Sequence, residues 1–69
     1  MGVRVNGSEL RRQLAMRGLT GADLAAGAHL SAATVSHALS GRPISVRTYR
    51  AITCVLVEVA PSSELLLLP

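Results

Sequence analysis

Sixty-nine residues make one small domain, too short for a second core or for an enzyme's cleft and lid, and with so thin a stability margin that dimerisation would help. An apolar fraction of 49% excludes a disordered charged tail, and an aromatic content of 1%, Tyr49 alone, excludes the stacking platforms of single-strand nucleic-acid modules. Seven arginines, no lysine and four acids give a net charge of +3, a mild basic excess compatible with a phosphate-bearing partner.

The first helix signal begins at Asn6-Gly7-Ser8, with Ser8 as the expected N-cap and Glu9 in the first turn. Residues 1–7 before it are expected to form a flexible arm. Leu10 and Leu14 share one face, Arg11, Arg12 and Arg17 take the others, and Gly18 ends the helix. Thr20 caps a short second helix, with Asp23 at the capping-box position and Leu24, Ala25 and Ala28 as its apolar stripe. After His29-Leu30, Ser31 caps a third helix from Ala32 to about Ser40, whose buried face is Val35, Ala38 and Leu39. Its opposite face carries Ala32, Ala33, Ser36, His37 and Ser40, small or polar and without an acid. Gly41 and Pro43 stop it.

Ser45 caps a fourth helix, with Tyr49, Ile52, Val55 and Leu56 toward the core, running to about Val57. Cys54 is also assigned to the core. The favoured ending is a last short turn of helix from Ser62 or Ser63. The alternative is a β hairpin from about residue 55, because Val55-Leu56-Val57-Glu58-Val59 is β-branched and partly alternating. The chain contains no internal repeat or linker, so residues 1–69 read as a single all-α domain.

No uninterrupted apolar run in the sequence is longer than the four leucines Leu65 to Leu68 of the C-terminal segment 61–69, far short of the roughly 18–20 residues that span a bilayer. The N-terminal MGVRVNGSEL lacks the apolar segment of a signal peptide, and a single Cys54 fits a reducing cytoplasm. A cytoplasmic protein without a membrane partner is expected. No Gly-rich phosphate loop, paired carboxylates or nucleophile–base pair is apparent, and His29, His37 and Cys54 lack zinc spacing, so neither enzyme chemistry, cofactor nor metal is expected.

Two short helices joined by a tight turn over residues 20–40 form a helix-turn-helix pattern. The stretch LTGADLAAGAHLSAATVSHALSGR resembles the phage repressor and Cro-like helix-turn-helix family through Leu19-Thr20, Leu24-Ala25, Ser31, Val35 and Gly41-Arg42. The words ATVSHALSGR are also similar to the lactose-repressor family, but the helix preceding the motif favours the phage-type arrangement. The resemblance covers about residues 8 to 60 and implies a compact, four- to five-helix lambda repressor-like domain. Two departures from the family pattern stand out: His29 stands where glycine is usual, and Leu14 with Leu39 replaces an Arg–Glu ion pair of some members.

The resemblance implies a transcriptional regulator that binds double-stranded operator DNA as a homodimer, with the third helix in the major groove. By position, Ala32, Ala33, Ser36 and His37 face bases. His37 is the one long polar reader, while the alanines offer only close approach or thymine-methyl contact. Gly21, Ser31, Thr34, Ser40, Arg42 and Arg47 are the expected phosphate contacts. Dimerisation is expected through Leu65 and Leu66. Two other readings stay open: an antitoxin-type interaction module on the same fold, suggested by the leucine tail, and an architectural or recombination-directing DNA binder.

Overall fold

A computed structural model describes residues 2–59. Four helices carry the fold: α1 (Gly7–Met16), α2 (Gly21–Ala28), α3 (Ala32–Leu39) and α4 (Val46–Glu58). Two short strands, β1 (Gly2–Val3) and β2 (Ile44–Ser45), pair antiparallel with Gly2 opposite Ser45 and Val3 opposite Ile44. The domain is therefore mostly helical with a small sheet. This β element joins the N-terminal residues to the segment before α4 and does not involve the residues of the alternative hairpin reading, since residues 55–58 are the last turn of α4.

Each helix starts on a side-chain oxygen that accepts the amide three residues on: Asn6 from Glu9 (3.0 Å), Thr20 from Asp23 (3.1 Å), Ser31 from Thr34 (3.1 Å) and Ser45 from Thr48 (3.0 Å). Three caps are as the sequence predicts. The first moves from Ser8 to Asn6, because Gly7 already begins the helix. At α2 the capping box is complete, the Thr20 amide donating to the Asp23 carboxylate at 2.8 Å.

The first three helices end alike, on a left-handed residue with the two backbone hydrogen bonds of a Schellman motif. At Gly18 these are Gly18 N–H to Ala15 O (3.1 Å) and Leu19 N–H to Leu14 O (2.9 Å). At Gly41 they are Gly41 N–H to Ala38 O (3.1 Å) and Arg42 N–H to His37 O (3.0 Å). At His29, φ 56° and ψ 42°, they are His29 N–H to Ala26 O (3.4 Å) and Leu30 N–H to Ala25 O (2.8 Å). The histidine that stands where the resembled family usually has glycine thus carries the left-handed turn. A Cβ in this region is strained by about 1–2 kcal/mol. His29→Gly should therefore raise stability by about 1 kcal/mol after the extra unfolded-state entropy of glycine is subtracted. Urea denaturation would read this as a higher midpoint at unchanged slope; a lower midpoint would show that the imidazole makes compensating contacts.

The core is Leu10 and Leu14 from α1, Leu24 and Ala25 from α2, Val35 and Ala38 from α3, Ile44, and Ile52 and Val55 from α4. Leu24 and Ile52 are its largest fully buried side chains. Four expectations need correction. Tyr49 is 44% exposed, and Cys54 is exposed because it lies two residues from Ile52, nearly opposite it on α4. The arm is tied down over residues 2–6: β1 pairs with β2, and Val3 and Val5 pack on the core. Arg17 does not lie on a solvated face. It is partly buried, its Nε donating to the carbonyls of Leu56 (2.9 Å) and Val59 (2.8 Å), so a guanidinium closes the C-terminus of α4. The suspected dimer contact at Leu65 and Leu66 lies outside the described residues, as does the proposed last turn of helix.

Candidate nucleic-acid interface

Helices α2 and α3 contain eight residues each and are joined by His29-Leu30-Ser31 alone. The left-handed backbone at His29 reverses the chain so that both helices bury small apolar stripes, Leu24 and Ala25 on one and Val35 and Ala38 on the other. With the buried stripe of α3 fixed inward, its other side is fixed outward. Ala32, Ala33, Ser36, His37 and Ser40 are all exposed, as expected.

That outward face is free of acidic residues, as are the first turns of both α3 and α4. The acids of the described residues are elsewhere and engaged or distant. Glu9 binds Arg12 on α1, with its shortest contact at 2.8 Å, and the hydrogen bonds from Arg12 and then Gln13 hold its carboxyl below the ordinary value. Asp23 is held below its ordinary value by the amide and then the hydroxyl of Thr20. Glu58 closes α4.

The expected phosphate contacts divide into three groups. Arg42, Arg47 and Ser40 are exposed, and Arg47 sits in the first turn of α4, whose amides and dipole favour an anion. Ser31 and Thr34 are committed first to capping: their hydroxyls lie 2.9 Å apart and Ser31 Oγ also accepts the Thr34 amide, so what α3 offers here is its helix start. Gly21 is half-buried over Val35 and Leu39, and Asp23 places a carboxylate at the same helix start. That makes the start of α2 a weaker anion site than the start of α4, whose first turn has no acid.

One contribution was missed. Arg11 from α1 lines a shallow groove with Gly21 and Ala22 of α2 and with Ala32, Val35, Ser36 and Leu39 of α3. The exposed Arg11 side chain thus stands beside Ala32 and Ser36 of the base-facing candidates. The sequence placed Arg11 only on a face away from Leu10 and Leu14. Its companion role emerges when α1 packs on α3 through the close approach of Gly7 to Leu39. Leu14 and Leu39, standing where some members of the resembled family have an ion pair, line an adjoining groove with Leu19.

No helix among the described residues is long and apolar enough to cross a membrane, and those residues hold no group of three or more metal-ligating side chains. No family model, curated protein or solved structure matches the chain, so the Cro-like resemblance stands on the quoted residues.

Proposed function

We propose that this chain is a sequence-specific binder of double-stranded DNA, acting as a homodimeric transcriptional regulator on a pseudo-palindromic operator. The observation that carries the reading is the acid-free exposed face of α3, set in a helix-turn-helix, with Arg11 lining the groove beside it, exposed Arg42 following the helix in the chain and exposed Arg47 in the first turn of α4. In this reading α3 enters the major groove. Ala32 and Ala33 let the helix approach closely, His37 reads a purine edge, and Ser36 contacts a base edge directly or through water. The three arginines and the α3 and α4 helix starts hold phosphates and set the register. Occupancy of a promoter would exclude polymerase sterically.

Duplex binding should weaken steeply with salt. Three arginines per subunit give about six neutralised phosphates in a dimer, and so a slope of about −5 in log affinity against log salt. Fluorescence anisotropy on duplex DNA across a salt series measures it. A slope near zero would remove the phosphate contacts and the proposal with them, leaving the interaction-module reading.

A further inference from the structure

The outer face of α4 carries a charge pattern that no ion pair within the described fold uses. Arg50, Cys54 and Glu58 recur every four residues and so lie within about 80° of helix surface. All three are exposed, and Val57 beside them is 84% exposed, more than any other large apolar side chain among the described residues. The only salt bridge among those residues joins Arg12 to Glu9, so Arg50 and Glu58 have no partner there.

A cation, a thiol and an acid evenly spaced about Cys54 complement the same pattern run in the opposite direction. Against a second copy laid antiparallel, with Cys54 on the twofold axis, Arg50 meets Glu58 of the second copy, and Glu58 meets its Arg50. A parallel pairing would instead set like charges together. We propose that this face of α4 is a docking surface for a second copy of the chain, twofold, antiparallel and centred on Cys54.

Exposed ion pairs add little affinity each. Here they set direction and register, while attraction comes from covering Val57, Cys54 and the alkyl stem of Arg50. A twofold contact repeats the same patch on both subunits, so each favourable pair counts twice. One helix face falls below the ~1,200–2,000 Å² of a stable interface, so the dimer is weak, forming at chain concentrations on the order of 100 μM. The pairing deepens the DNA reading, since a twofold dimer is what an inverted-repeat site requires, but its test uses no DNA.

Sedimentation of the full chain, with short bis-maleimide crosslinking, supplies that test. The wild type should show concentration-dependent dimer that crosslinks through Cys54. Arg50→Glu alone and Glu58→Arg alone should each weaken self-association roughly tenfold, since each variant faces its own copy with like charges at both pairs. Mixed one to one, the two variants should associate at least as well as wild type, because one brings two acids and the other two arginines. That rescue also shows that both fold. A wild type that stays monomeric at about 1 mM, a dimer that the short bis-maleimide fails to link, single variants that dimerise like wild type, or a mixture that does not recover would each overturn the proposal. Recovery in the mixture without any duplex binding would leave this surface standing and remove the DNA reading alone.

Discussion

Gly7→Ala should destabilise the domain by about 3 kcal/mol, close to the limit of what it tolerates. A Cβ on Gly7 would overlap the carbonyl oxygen of Leu39 and lie 2.9 Å from its carbonyl carbon. Those are backbone atoms in the last turn of α3, so no side chain can rotate away, and relief requires α1 to lift from α3. Overpacking of this kind costs about 1–3 kcal/mol where neighbours can adjust, and a rigid backbone puts Gly7 at the upper end. A 69-residue domain has a total stability of about 3–10 kcal/mol, so the variant should be partly unfolded at 37 °C. Gly27→Ala is the matched control: its Cβ would meet only Val55 side-chain carbons at 3.4 and 3.6 Å, ordinary contact. It should instead stabilise α2 by roughly 0.5–1 kcal/mol. Thermal unfolding followed by circular dichroism compares the two; equal melting temperatures would refute the close approach of α1 and α3.

The second large effect concerns specificity. Among the proposed base-facing positions, Ala32 and Ala33 have no side-chain donor or acceptor, and Ser36 has a short hydroxyl. His37, exposed in the last turn of α3, is the only longer polar side chain. His37→Ala should lose roughly 1–3 kcal/mol of preference at one base pair in each half-site and leave affinity for other sequences nearly unchanged. Arg42→Ala should do the reverse, weakening all sequences about equally, because a phosphate contact carries no base information. Preference matrices for the three proteins at fixed salt and pH test both. If the matrix of His37→Ala coincides with that of the wild type, His37 reads nothing, and discrimination must come from the segment after Gly41 or from DNA shape.

Helix ends were legible in the sequence because they are decided locally. Thr20, Ser31 and Ser45 each need only reach an amide three residues away, and Gly18 and Gly41 need only their own freedom at positive φ. His29 was legible only through the resemblance, which puts it at a turn position where glycine is usual. What the sequence hid depends on partners far along the chain. Val3-Arg4-Val5 alternates as a strand does, but three residues carry too little pattern to set against an arm, and the partner Ile44 lies some forty residues away. Arg17 reads as a solvated cation until α4 brings the carbonyls of Leu56 and Val59 to it. Cys54 was placed inside with the apolar face of α4, whereas the helical steps of about 200° from Ile52 and 100° from Val55 place it outside.

The candidate site divides along the same line. The exposure of Ala32, Ala33, Ser36 and His37 follows from the helical period of Val35 and Ala38, which the sequence displays. The presence of Arg11 beside them follows from packing between α1 and α3, which it does not.

Selection of the purified full chain on a library of random duplexes at near-physiological salt tests the central claim most directly. The account predicts enrichment of two inverted half-sites whose centres lie about 10 base pairs apart, or a whole multiple of that, with the strongest base preference where His37 reaches. Recovery of the input library without enrichment, or enrichment of single-stranded sequences over duplexes, would contradict it.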